Sequence, residues 1–345
     1  MKHGIRQRSA NNRLDHAPLD HQQLPAALRE NISQAKAQQQ FRRADNTVKC
    51  YLSAWAQFVE FCAEHGFAPL PASAEIVMAF LGQEMHRTFI SQFNGEQVAR
   101  HLSNSAIAMR VAAIRHFHLE HGFDSPTYHP EIIKSLEGFR RNQYRDVLHD
   151  HKDPLLNSEL EQLLKVISHG KKPLLKQRDL ALMALLRAGA FRRSEIVKLK
   201  VSDLAFRPDG LEVTMRFSKS NQEGGKQVKW IPRTEAFSPY DHLTTWLEKS
   251  QISSGFVFRS LTRNGQALRV KPDTPPLQQP VLCGADVNRI LKGYLKKAGI
   301  DVAKFAAHSA RSGFVTQMGS DGASVMMIQA RTQHKDLRML ATYNK

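Results

Sequence analysis

The sequence predicts a mainly α-helical fold with one small β-sheet, arranged as an N-terminal helical domain and a C-terminal α+β domain. Three observations carry this. Apolar residues recur at helical spacing through most of the 345 residues. One stretch, 201–232, switches to strand-like alternation. A non-periodic segment of mixed charge, 142–156, separates two blocks that are each long enough to bury a core of their own.

In chain order, residues 1–44 are polar and rich in Gln and Ala, and read as a flexible tail with at most a marginal helix from Gln22 to Gln40. From Asp45 or Asn46, the spacing Val48, Tyr51, Leu52, Trp55, Phe58, Val59, Cys62 marks one helical face, closed by Gly66. Ser73 opens a second helix, Ser103 or Ser105 a third that ends near Gly122, and a fourth runs from about Pro130 to Arg141. These make a helical domain over 45–141. After the linker, Asn157 or Ser158 opens the second domain, 157–345, with the apolar face Leu160, Leu163, Leu164, Ile167. A further helix follows Pro173 and breaks at Gly189.

Leu211–Phe217 and Gln227–Ile231 alternate as strands around a turn containing Asn221, Gly224 and Gly225, which predicts a β-hairpin with Lys219 near its tip. Helices resume at 239–249, Phe256–Phe258 reads as a short strand, and the Pro-rich 263–280 reads as irregular. Further helices are expected over 286–298, 307–320 and 324–330 and from Leu337 onward.

A formal charge of +17 and a pI near 9.9 point to a polyanionic partner, nucleic acid first. Residues 1–150 hold 17 Lys+Arg against 15 Asp+Glu, a net of +2, so 151–345 carry the remaining +15. Cys50, Cys62 and Cys283 are odd in number and scattered, which excludes a disulfide framework or a paired-Cys zinc signature. No apolar run is long enough to span a membrane, and a cytoplasmic location is expected. The run Arg115–His121 places His118 and His121 three apart without a Cys pair, so its imidazoles are expected to face solvent or phosphate rather than metal.

The chemistry-bearing residues gather in the basic half. His308-Ser309-Ala310-Arg311 puts a His and an Arg three apart on one helical face. His3 and Arg6 repeat that spacing in the tail, where nothing else converges. Around the second pair lie Ala188-Gly189-Ala190-Phe191-Arg192-Arg193-Ser194-Glu195 upstream, and His334 and Tyr343 downstream. Taken in order as Arg, hairpin Lys, His-x-x-Arg, His and Tyr, the set resembles the tyrosine site-specific recombinases, the phage-integrase family.

That resemblance implies a DNA-clamping N-terminal domain and a catalytic C-terminal domain. It implies Arg192 and Arg311 as planar forks on the non-bridging oxygens of a DNA phosphate, standing where metal charge would otherwise serve. Counting Arg-x-x-Glu back from Glu195 selects Arg192 over Arg193, with Glu195 orienting the basic groups. Lys219 is implied as the general acid for the leaving 5′ oxygen, with Lys226 and Lys229 as rival candidates. His308 and His334 would donate to the phosphate, and Tyr343 would be the nucleophile, forming a 3′-phosphotyrosyl bond. No metal, ATP or other cofactor is implied. The partners would be double-stranded DNA and three further copies of the chain, a tetramer on two sites. Two departures stand out: Gln333 occupies the place of a Gly that precedes the second His in the family, and only two residues follow Tyr343, where relatives continue with another helix. A type IB topoisomerase and a non-catalytic DNA-binding protein with a decayed site are the rival readings.

Overall fold

The computed structural model describes residues 26–38, 45–93, 96–146, 152–215 and 227–333. Their described parts fall into two compact units, one drawn from Met1–Phe89 and Arg100–Gln143 and the other from Ile90–Ala99 and Tyr144–Lys345.

The N-terminal elements are α1 (Ala26–Gln38), α2 (Asp45–Glu64), α3 (Ala74–His86), the hairpin β1 (Thr88–Phe93) and β2 (Glu96–His101), α4 (Asn104–Glu120) and α5 (Pro130–Asp146). Ser73 and Ser103 cap α3 and α4 by accepting from the backbone N–H of Ile76 and Ala106, as the serine signals predict. Gly66 and Gly122 stop α2 and α4 in the left-handed region. The β1–β2 hairpin has no counterpart in the sequence reading. Phe58, Phe61, Cys62, Val77, Phe80, Leu81, Ile107 and Ile114 interlock as the core of this unit. Glu84 is buried beside them and held by Arg87 at 3.1 Å and by Arg110.

His118 corrects an expectation. It faces neither solvent nor phosphate but is fully buried. Its Nε2 accepts the Ala72 N–H at 3.0 Å, which puts the ring proton on Nδ1, 2.8 Å from the Ile114 carbonyl it donates to. Burial pushes its pKa below the ordinary 6.5, the Ile114 carbonyl works against the fall, and neighbouring His121 adds to it. The unfolded chain therefore takes up a proton at a higher pH than the folded one, and stability is lost as pH falls through 6.5. His118→Ala is expected to cost about 2–4 kcal/mol at neutral pH, from a cavity and an orphaned Ala72 N–H. It should also flatten the pH dependence of unfolding between about pH 5 and 7. Denaturant titrations at several pH values check both.

The second unit runs α6 (Asn157–Ser168), α7 (Pro173–Ala188), α8 (Arg193–Ile196), β3 (Leu204–Arg207), β4 (Gly210–Met215), β5 (Gln227–Pro232), α9 (Pro239–Ser250), α10 (Gly284–Lys297), α11 (Ala307–Ser320) and α12 (Val325–Thr332). The sheet is antiparallel in the order β3-β4-β5, with Val213 opposite Lys229 and Leu211 opposite Ile231. Strand β3 is an addition to the expected hairpin. Phe256 forms only an isolated bridge to Lys200, so the short strand expected there is absent among the described residues. The helix expected from Leu337 lies outside the described residues.

Helix α7 is the centre of this unit. Every residue from Gln177 to Ala188 is buried, which is how a helix surrounded by neighbours on all sides reads. Residues placed in the linker by composition are packed here. Leu155 is buried, its N–H donates to the Ser309 carbonyl at 2.8 Å, and the Asp153 N–H donates to Lys304 at 2.7 Å. Gly313 permits this crossing, since a Cβ there would lie 1.9 Å from the Leu155 carbonyl oxygen. Asn157 does not cap α6 with its side chain. Its Oδ1 accepts from Arg187 at 3.2 Å instead.

Candidate active site

The site is built on the turn that ends α7. The last carbonyls of a helix have no partner within it and carry its negative pole. Here three successive carbonyls are each met by a different cation. Ala188 accepts from Arg331 Nη1 at 2.7 Å, Gly189 from Lys229 Nζ at 2.8 Å and Ala190 from Arg311 Nη1 at 2.6 Å. The turn is tight, with Ala190 at φ +46°. A Cβ at Gly189 would lie 2.0 Å from the buried Phe191 ring, so only glycine fits beneath it.

Two of the same cations also bind the C-terminal end of α12. Lys229 Nζ donates to the Arg331 carbonyl at 2.7 Å, and Arg311 Nη2 to the Thr332 carbonyl at 2.5 Å. The ends of α7 and α12 are thus tied together by charge-assisted bonds from β5 and α11.

Arg192 follows the turn directly and is half-buried. Glu195, one helical turn on, accepts the Arg192 backbone N–H at 2.9 Å and its guanidinium at 2.5 Å. Burial alone would raise the Glu195 carboxyl, but the Arg192 amide and guanidinium and the Lys229 ammonium outweigh it and hold the group below the usual carboxylate range. Glu195 is therefore ionised and fixes the direction of Arg192. Arg193, by contrast, is exposed and packs its stem near Gly284.

The structure brings together Arg192, Glu195 and Arg311 of the residues singled out in the sequence. His308 lies on α11 one turn before Arg311 and is exposed at the start of that helix. Lys219, His334 and Tyr343 lie outside the described residues, although His334 follows Thr332, an anchor of the cluster, by two positions.

Two basic residues were missed or misjudged. Lys229, a rival for the acid role, is buried on the inner face of β5. Burial pushes its ammonium down to about 7, with Glu195 opposing the fall and Arg311, Arg192 and Arg331 adding to it. Arg331 is anchored by Glu235 at 3.0 Å and lies over the Phe314 ring, which the buried Arg187 also faces. A signal for Lys229 was present: strand alternation sets it on the same face as Ile231, with Val228 and Trp230 opposite.

Residues 154–345 match the model of the phage integrase family. This chain belongs to that family. An integrase/recombinase XerD homologue of Selenomonas ruminantium is 31% identical over 315 residues, covering 90% of this chain and 84% of the relative. A tyrosine recombinase of Pseudothermotoga lettingae is 23% identical over 306 residues, 88% of each chain. Among solved structures, the XerH recombinase bound to difH in a post-cleavage complex superposes with a TM-score of 0.59 at 15% identity, covering 86% of this chain and 75% of that one. The Tn1549 transposon integrase in complex with transposon right-end DNA gives 0.57 at 15% identity, covering 90% and 92%. The mainly helical fold with its small antiparallel sheet is thus that of the tyrosine recombinases.

Gln333, which the resemblance sets where a Gly usually precedes the second His, has a left-handed backbone, φ 58° and ψ 42°. A side chain there costs about 1 kcal/mol. Gln333→Gly is therefore expected to leave thermal stability equal or raised by up to about 1 kcal/mol, while Gln333→Val, β-branched, should lower it by about 1–2 kcal/mol. Calorimetry on the two variants checks the order.

Proposed function

We propose that this recombinase-family chain cleaves and rejoins duplex DNA through a 3′-phosphotyrosyl intermediate on Tyr343. The observation that carries the reading is the convergence of Arg192, Lys229, Arg311 and Arg331 on the α7 turn, with Glu195 and Glu235 as their acidic partners. Four basic side chains against two carboxylates leave a positive excess, suited to the charge that builds on a phosphodiester as it is attacked.

In this reading the guanidinium groups of Arg192 and Arg311, with His308 and His334, donate to the non-bridging oxygens. The Tyr343 hydroxyl attacks phosphorus as His308 accepts its proton. The bond from phosphorus to the 5′ oxygen breaks, and Lys219 protonates that oxygen. A 5′-hydroxyl from a second duplex reverses the sequence, so the phosphodiester's energy is conserved in the tyrosyl ester. Four protomers on two duplexes would exchange strands in turn. Phosphate contacts from the basic second half would supply most of the affinity, with strong salt dependence.

The test uses the purified protein, two copies of the DNA flanking its gene and excess chelator. Recombinant products are expected. Relaxation of supercoils without recombinants would mark a type IB topoisomerase, and DNA binding with no covalent adduct would mark a non-catalytic protein.

Lys219→Ala is expected to slow cleavage of ordinary DNA by roughly 10²- to 10⁴-fold. It should leave a substrate with a 5′-bridging sulfur near the wild-type rate, because that group departs without a proton. Single-turnover gels with both substrates measure the difference.

A further inference from the structure

We infer that Lys229 is a positioning residue, which acts by tying the end of α12 to the turn before Arg192 rather than by touching DNA. The inference rests on the recombinase reading and adds a part to its site. Three observations point to it.

First, Lys229 is a lysine on the buried face of a strand, 1% exposed, with Val213 opposite it in the sheet. A buried ammonium is costly unless its hydrogens are met. Second, they are met by groups that matter for the site. Its Nζ donates to the carbonyls of Gly189 and Arg331, which lie 40 and 102 residues away in sequence, and it stands 4.8 Å from the centre of the Phe191 ring. Two carbonyls and an aromatic face suit the three hydrogens of one ammonium. Third, both acceptors adjoin proposed catalytic groups: Gly189 precedes Arg192 by three residues, and Arg331 precedes His334 by three.

Arg311 makes a parallel pair of bonds, to Ala190 and Thr332. Each cation spans the same two helix ends, one residue further along both. Both side chains are equally enclosed, 1% exposed each, but the proposed function assigns Arg311 to the phosphate as well as to this tie and gives Lys229 the tie alone. Its removal would leave two helix-end carbonyls without donors and loosen the register between Arg192 and His334 without deleting either.

The test compares wild type, Lys229→Met and Lys229→Arg on a nicked suicide duplex and on its 5′-bridging sulfur analogue. DNA affinity and thermal unfolding are measured alongside. Absence of any covalent adduct with wild type would sink the recombinase reading itself, a separate failure. Given an active wild type, Lys229→Met is expected to unfold cooperatively, bind DNA within about threefold of wild type and cleave both substrates at least about a hundredfold more slowly. Wild-type cleavage by Lys229→Met would overturn the inference. So would rescue by the sulfur substrate, which would make Lys229 the proton donor, or a loss of DNA affinity as large as the loss of cleavage. Should Lys229→Met fail to fold, Lys229→Arg decides, since it keeps the donors. It is expected to fold and to cleave both substrates within about tenfold of wild type, and a folded Arg variant slower than that on either substrate overturns the proposal.

Discussion

Tyr343→Phe is expected to abolish the covalent protein–DNA adduct, a loss of at least about 10⁴-fold, while leaving DNA affinity within a few-fold of wild type. A phenol with an ordinary pKa near 10 is a weak nucleophile at neutral pH and needs a cationic setting to favour phenolate. The basic cluster around the α7 turn supplies such a setting on this reading, and phenylalanine retains the ring while deleting the only atom that bonds to phosphorus. Affinity should persist because, on the proposed function, it would come from many phosphate contacts spread over the basic half rather than from the reacting residue. Denaturing gels after incubation with a nicked suicide duplex, paired with equilibrium binding at two salt concentrations, separate the two quantities.

Arg311→Ala is expected to lower both activity and stability. Cleavage should fall by about 10³-fold or more, as for loss of an arginine that neutralises transition-state charge. Arg311 is also 1% exposed and donates to Ala190 and Thr332. Its deletion leaves two buried carbonyls without those donors beside a cavity, a loss of about 3–5 kcal/mol. Arg311→Lys separates the effects. A single ammonium keeps the charge but cannot reproduce the planar fork, so part of the stability should return while cleavage stays at least about tenfold slow. Calorimetry and single-turnover cleavage on the same preparations test this.

How much of this was legible depends on where each signal resides. Helices α2, α3, α4, α6, α7 and α11 could be read because the apolar face and the stop residues of each lie within one short window, as with Ser73, Ser103, Gly66 and Gly189. Arg192 and Arg311 could be singled out because order along the chain sufficed, and the fold brings both to the α7 turn. The contact of Glu195 with Arg192 was legible for the same reason, since it spans three residues. What could not be read was set by distant partners. Lys229 is buried because the ends of α7 and α12 bring it carbonyls; alternation puts it on one face with Ile231, but hydrophobicity favours turning the opposite face, with Val228 and Trp230, inward. Both are exposed, at 45% and 37%. His118 appeared as one of a polar run until its donor and its acceptor, the Ala72 N–H and the Ile114 carbonyl, enclosed it. Residues 153–155 lack periodicity, so composition placed them in a linker, yet their backbone bonds to Lys304 and Ser309 pack them into the second unit. The pairing of β3 with β4 is likewise a tertiary fact, since Leu204–Arg207 is too short to show alternation.

The central claim is that the basic cluster on the α7 turn serves one phosphate that becomes bonded to Tyr343. Mass spectrometry of the peptide cross-linked to a nicked suicide duplex, trapped in excess chelator, tests it most directly. The account predicts a peptide containing Tyr343 esterified to a DNA 3′-phosphate. A linkage to any other residue, or through a 5′-phosphate, would contradict it.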